Sequence, residues 1–423
     1  MNSAIISLII LGVTIILFIT RVIPNAATAC LSCLLFVLFG ICSISEAFSG
    51  FSNSIIILVF GMSVVGIAMQ DTGVAKLIGE QVTKWSNKSE RLFILIAGLT
   101  SAVLSTFLSN TSVIAIFLPI IASVSQANPK MKRLNLTLPV TMGAMFGGVC
   151  TLVGSTPQLT ANGILLELCN VELTMFDYTL PGIIICAVYL LYVELIGFQW
   201  GNKIWGDRIL DAEMAIKASD VESIAVDKRK VIIMLVIFAL TIVSFIGAWI
   251  TTEITAVIAA LLCLVTGCVK QKSIIKKMDW SVIFILAGCL GIAKGLAKGG
   301  VGELIGDGVS MILNESIPPI IIFSLFVLAT MIVSNFITNS TAVVIFLPVA
   351  LSVCNTVGLN PLTFTMGIVF AANLTFSTPL ANAQTAMTLV AGYKFSDYIR
   401  YTWLLALLTL ISIIVVVPLC FPF

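Results

Sequence analysis

Residues 105–119, STFLSNTSVIAIFLP, and residues 334–348, SNFITNSTAVVIFLP, are one pattern written twice, with seven of fifteen positions identical. Each copy places Ser, Thr and Asn in the middle of an otherwise apolar run. Polar groups at membrane depth are costly and mark ion or substrate pathways. A second copy 229 residues further on points to a duplicated membrane protein with two half-sites. Internal duplication of this kind is a feature of secondary transporters.

Composition agrees with membrane residence. Of 423 residues, 59% are hydrophobic and 10% charged, whereas soluble domains carry about 25% charge. The first twenty residues, MNSAIISLIILGVTIILFIT, have no basic stretch ahead of the apolar run; Arg21 follows it. This reads as a first transmembrane helix and not a cleaved signal. The eleven cysteines lie almost entirely in apolar segments. Cys30 and Cys33 form a CxxC without a partner pair, so they read as packing thiols.

Apolar stretches of spanning length fall at 4–20, 25–43, 54–70, 134–168, 179–198, 231–249, 254–269, 279–297, 361–390 and 401–420. Two further runs, 92–125 and 316–352, carry the repeated cluster midway and are too long for one span and too short for two. Lys88 and Arg91 flank the first run at one end, and Lys130, Lys132 and Arg133 at the other. Both of its ends therefore belong on one side, which makes it a re-entrant hairpin with a buried polar tip. Threaded this way, with both termini outside the cell membrane, every Lys and Arg except Lys294 and Lys298 falls on the cytoplasmic side. Counting a hairpin as a span would destroy that bias.

The duplication extends further. Residues 72–80, TGVAKLIGE, match 299–307, GGVGELIGD, and Gly154-Ser155-Thr156-Pro157 matches Phe376-Ser377-Thr378-Pro379. The expected architecture is an all-α polytopic membrane protein of two inverted repeats. It has about ten transmembrane helices, two re-entrant helical hairpins and two broken helices. Residues 1–198 form the first repeat (hairpin 92–125, broken helix 134–168). Residues 231–423 form the second (hairpin 316–352, broken helix 361–390). The mixed-charge segment 199–230 is a cytoplasmic interfacial linker. Five crossings per half is odd, so the second half enters upside down.

At the tips, Ser109-Asn110-Thr111 and Thr338-Asn339-Ser340 end one half-helix and begin the next. Hydroxyls and asparagine cap helices well and tolerate irregular backbone. The Ser-Thr-Pro triplets are expected to do the same, with Pro157 and Pro379 at helix starts. Inverted symmetry would bring four helix N-termini together, an arrangement suited to an anion. The neutral oxygens around them suit sodium. Glu194 and Lys294 lie nearer helix ends, and read as paired or interfacial residues.

With its two Ser-Asn-Thr-type tips, its Thr-Pro breaks and the closing GYKFSDYIR (392–400), the chain resembles the divalent anion:sodium symporter family over essentially its whole length. The resemblance implies eleven helices, of which this chain starts without the first, leaving ten. It implies a sodium site at Ser105, Ser109, Asn110 and Gly154, and a second at Ser334, Thr338, Asn339 and Ser377. Substrate contacts would come from Asn110, Thr111, Thr156, Pro157, Asn339, Ser340, Thr378 and Pro379. It further implies sodium-coupled symport of a C4-dicarboxylate or sulfate by an elevator motion. The protein would be a homodimer in the inner (plasma) membrane, in contact with lipid, with no further cofactor and no nucleic acid. The second tip reads Thr-Asn-Ser instead of Ser-Asn-Thr, which bears on the choice of anion.

The same architecture also resembles arsenite efflux permeases, citrate or metal carriers and sodium/proton antiporters. An antiporter needs a titratable group at depth, and the site motifs contain neither acid nor histidine. No cysteine lies in them for a thiol-seeking oxyanion. A channel has no use for paired half-sites rich in helix caps. An intramembrane enzyme would need a nucleophile with its base, or a ligand set; the chain has no histidine and no paired intramembrane carboxylates.

Overall fold

The computed structural model describes residues 3–423 except 75–76, 79–80, 83, 85–88, 129, 206–226 and 302–317. Most of the expected linker lies outside the described residues. The described residues form helices and no strands. Helix α1, Ser3–Thr20, shows why: it is rich in Ile, a poor helix former in water, yet helical throughout. In a bilayer every backbone group must be satisfied within the segment, which overrides residue propensity.

The first half continues with α2 (Asn25–Leu38), α3 (Ser54–Asp71), α4 (Glu90–Ser105), α5 (Asn110–Ala127), α6 (Arg133–Gly148), α7 (Thr156–Cys169) and α8 (Thr179–Tyr192). The second half comprises α9 (Lys228–Gly247), α10 (Thr252–Val265), α11 (Trp280–Lys298), α12 (Pro319–Ser334), α13 (Asn339–Val357), α14 (Pro361–Asn373), α15 (Ala383–Met387) and α16 (Phe395–Cys420). Eight described helices are long and apolar enough to cross a membrane, and four more are shorter apolar helices. The chain is an all-α, multi-pass membrane protein.

Each polar cluster interrupts its run where expected. Helices α4 and α5 are separated by residues 106–109, and α12 and α13 by 335–338; the two arms of each pair pack together. Helix α8 departs from the expected length. A π turn at Val193–Gly197 carries it on through Phe198–Trp205, so the first seven linker residues continue a helix. Helix α16 begins at Phe395, six residues ahead of the apolar stretch, with the Asp397 carboxylate accepting from the Lys394 N–H at 2.7 Å.

The helices sort into two bundles, α1–α3 with α9–α11 and α4–α8 with α12–α16. Contacts between the halves are reciprocal: α2 packs on α11 as α10 packs on α3, and α5 packs on α15 as α13 packs on α7. Small residues allow the first pair of crossings. A Cβ on Gly61 would stand 2.7 Å from the carbonyl carbon of Ala256, and one on Gly288 2.9 Å from that of Ala29. Gly61 and Gly288 lie 227 positions apart, as do Ala29 and Ala256. Such small-residue contacts let helix backbones approach closely where lipid supplies no hydrophobic drive. Between the bundles, α7 packs on α11, and Lys294 Nζ meets Glu167 Oε1 across that seam at 3.2 Å.

Candidate functional site

A cleft of about 350 Å³ opens between the two bundles. Its wall on one side is α3, with Ser63 and Gly66. On the other side stand Ser109, Asn110 and Thr111 of the first tip, Gly154, Ser155 and Thr156 of the first break, and Ala383 and Gln384 of α15. Four helix starts, those of α5, α7, α15 and, through its N-cap residue Asp279, α11, therefore border one cavity. The charged residues lining it are Lys277 and Asp279, and the Lys277 ammonium is held 2.5 Å from Asp71 Oδ1.

The two tips are built alike. The Ser105 hydroxyl donates to Asn110 Oδ1 in a short bond, and the Ser334 hydroxyl donates to Asn339 Oδ1 at 3.4 Å. Ser105 is fully buried and Asn110 nearly so. A hydroxyl pair spans the first turn of each second arm: Ser109 to Ser112 at 2.7 Å and Thr338 with Thr341 at 2.6 Å. Ser109 also caps α5 by accepting from the Ser112 N–H at 3.3 Å. The Gly154 backbone packs against the Ser105 carbonyl: a Cβ there would stand 2.9 Å from that oxygen. Of the residues expected for the first ion site, Ser105, Asn110 and Gly154 are thus brought together. Ser109 stands beside them as the residue before Asn110.

The second break corrects the sequence reading. Thr156-Pro157 does open α7, with Ser155 at its N-cap position. Ser377-Thr378-Pro379 opens nothing. Residues 374–382 run as irregular chain, and α15 begins at Ala383, capped by Asn382. Hydrogen bonds give the true correspondence. Thr151 Oγ1 donates to the Thr106 carbonyl, and Thr378 Oγ1 to that of Asn335. Gln158 Nε2 then reaches Thr151 O at 3.2 Å, as Thr385 Oγ1 reaches Thr378 O at 3.1 Å. The counterpart of Ser155 is therefore Asn382, five residues beyond Ser377.

Ser377 consequently faces elsewhere, accepting from Thr402 Oγ1 of α16 at 3.0 Å. Its expected place beside Asn339 is taken by Thr375, whose hydroxyl donates to Asn339 Oδ1 at 3.2 Å. Thr378 serves as a brace, and Pro379 is buried in the irregular stretch. Thr338, Asn339 and Ser340 do not line the cleft that holds Asn110 and Thr111.

Sequence reasoning missed Thr375, Asn382, Ala383, Gln384 and Asn373. Asn373 is almost wholly buried; its amide donates to Gln158 Oε1 at 3.1 Å, and its oxygen accepts from the Ser155 hydroxyl at 2.5 Å. The available signal was polarity inside AANLTFSTP (371–379). Asn162, which does not line the cleft, braces Leu173, accepting from its N–H at 2.7 Å. Glu194 pairs with Arg91 at 2.8 Å. In the short helix Ile44–Ala47 ahead of α3, the Lys298 ammonium 2.5 Å from Glu46 holds that carboxyl down to about 2.

Two helical bundles with broken helices meeting at a polar cleft define a membrane transporter rather than an enzyme. Comparison with known proteins agrees, and the chain belongs to the citrate transporter family (CitMHS), whose model matches residues 15–339 and 316–423. The transporter YfbS of Escherichia coli K12 is 21% identical over 605 aligned positions, covering 98% of each chain. The sodium-dependent dicarboxylate transporter SdcS of Staphylococcus saprophyticus is 23% identical, covering 89% of this chain and 78% of its own. Among solved structures, the YdaH transporter of Alcanivorax borkumensis superposes with a TM-score of 0.66 at 12% identity, covering 90% of this chain and 87% of that one. MtrF of Neisseria gonorrhoeae gives 0.65 at 12% identity, over 91% and 83%. These structural likenesses speak to the fold.

Proposed function

We propose that this protein is a secondary active transporter that couples inward sodium movement to uptake of a small divalent anion, a C4-dicarboxylate or sulfate. The observation that carries the proposal is the cleft between the bundles. The starts of α5, α7 and α15 border it, beside that of α11 with Asp279 at its N-cap, and the oxygens at its tip and break are neutral. Helix N-termini favour anions because their N–H groups are unpaired and their dipoles positive. The amide and hydroxyl oxygens of Asn110 and Ser105, with backbone carbonyls near Gly154, are the donor type that broken-helix transporters offer sodium. Asn339, Ser334 and Thr375 offer a second such set. The reciprocal contacts of the halves support two inverted repeats with re-entrant hairpins. The position of the cleft, on the seam between bundles, supports one bundle sliding against the other. Of the comparisons, the name of SdcS favours dicarboxylate and sodium.

A second reading, citrate as the substrate, is favoured by the description of the matched family. A thermal-shift panel separates the two. Succinate, malate, sulfate and citrate are each added to purified protein in sodium and in potassium. A ligand at a hundred times its Kd adds about 2.7 kcal/mol to the folded state. Stabilisation by a dianion in sodium only is expected; stabilisation by citrate alone would move the substrate, and none from any anion would overturn the site.

A further inference from the structure

We propose that Asn373 is a positioning residue that holds the start of α7 open for the anion by drawing the Ser155 hydroxyl away from it. This rests on the anion-site reading of the cleft given above. Ser155 occupies the N-cap position of α7, where a serine normally accepts a hydrogen bond from an N–H of the first turn. It makes no such bond. Its hydroxyl is instead engaged by Asn373 Oδ1 at 2.5 Å. Asn373 sits at the last position of α14, in the opposite half of the chain, and is 3% exposed. Its amide group is fixed in turn by Gln158 Oε1 at 3.1 Å and by the Val369 carbonyl at 3.0 Å. Gln158 itself is anchored to Gly148 O at 2.8 Å.

The contrast with the α5 and α15 starts at the cleft gives this arrangement its meaning. At α5 Ser109 caps Ser112 N–H, and at α15 Asn382 caps Thr385 N–H at 2.9 Å. At α7 the second residue is Pro157, which has no N–H, so a returning Ser155 hydroxyl would take up the Gln158 N–H. Ser155 and Thr156 both line the cleft. Unlike the starts of α5 and α15, the α7 start thus leaves its first-turn donor without a side-chain cap, and Asn373 is what keeps it so; the α11 start is also uncapped but has an acid, Asp279, at its N-cap position. Position 146, the counterpart of Asn373 in the first half by the 227-residue spacing, is Phe146. The device is therefore one-sided.

The test uses full-length protein carrying Asn373→Ala, and Asn373→Ala combined with Ser155→Ala. Asn373→Ser, which keeps a small polar group near Gln158 but is too short to reach Ser155, serves should the alanine variant fold poorly. The first readout needs no ligand: hydrogen exchange of the peptide spanning the first turn of α7. Exchange should slow in Asn373→Ala, as the freed hydroxyl caps Gln158, and return on adding Ser155→Ala. The second readout is the apparent affinity for succinate and for sulfate in saturating sodium. A cap contributes about 0.5–2 kcal/mol, so Asn373→Ala should weaken binding roughly twofold to thirtyfold, and Ser155→Ala in that background should restore it. A general packing role would make the double variant worse than the single. Unchanged exchange in Asn373→Ala, or a double variant no better than the single, overturns the proposal. If wild type binds neither probe, the anion-site reading fails, and with it the link to transport, while the exchange arm still decides what Asn373 does.

Discussion

Replacing Asn110 by alanine should harm affinity and stability separately, and the structure says how to separate them. The amide oxygen of Asn110 accepts from Ser105 Oγ, which is fully buried and donates to no other group. Truncation leaves that hydroxyl unpartnered, a cost of about 1–3 kcal/mol in folding stability. It also removes a cleft-lining polar group in contact range of a charged ligand. Hydrogen bonds to charged partners contribute about 1.5–3 kcal/mol, so apparent affinity should fall roughly tenfold to a hundredfold. Adding Ser105→Ala abolishes the orphan hydroxyl and should recover stability without recovering affinity. Asn339→Ala makes an informative control. Ser334 has a second acceptor, the Ala372 carbonyl at 2.9 Å, and Thr375 has the same carbonyl at 3.1 Å. Because Asn339 does not line the cleft, truncation there should cost less affinity for the anion as well as less stability. The assay pairs denaturant unfolding in detergent with the KM for uptake into liposomes. An Asn110→Ala protein that folds and transports with unchanged KM would refute the placement of the site.

Three further outcomes are expected. Single cysteines replacing Lys132 and Lys276 in a cysteine-reduced background should react only with reagent on the cytoplasmic side, and one replacing Glu172 only from outside; external labelling at 132 would break the hairpin reading. Gly61→Ala and Gly288→Ala each drive a methyl into a facing helix backbone, and should each destabilise the α3–α10 or α2–α11 crossing by about 1–3 kcal/mol in unfolding experiments; a neutral result would mean the crossings are looser than described. Between pH 5 and 8 uptake should track the concentration of dianion and nothing else, since the chain has no histidine. Glu46, whose carboxyl is held down to about 2, contributes its stabilisation in full above the ordinary carboxylate range and loses it only as pH falls toward 2, below that window. Curves that fail to collapse on dianion concentration would implicate a protein group.

The helices, the two interruptions at 106–109 and 335–338 and the first break were legible because polar residues inside apolar runs stand out against hydrophobic periodicity. The second break was legible as an event but misplaced in register. Ser377-Thr378-Pro379 resembles Ser155-Thr156-Pro157 in letters, whereas the chain after Thr378 stays irregular for four more residues and starts its helix at Asn382-Ala383. Local similarity does not encode how far an irregular segment travels before its backbone groups find partners. Asn373 and Thr375 showed only as polar residues in an apolar stretch: each acts through a contact the sequence does not display, and neither belongs to a repeated motif. The length of α8 was hidden because a π turn has no marker in its apolar sequence.

The most direct test of the central claim is radiolabelled succinate and sulfate uptake into liposomes containing the purified protein. The sodium gradient is imposed or omitted at fixed pH and membrane potential. Accumulation above the external concentration, for at least one of the two anions, should occur only with sodium directed inward, and should collapse when that gradient is dissipated. Equal uptake in potassium or choline, or uptake driven by a proton gradient without sodium, would contradict sodium-coupled symport.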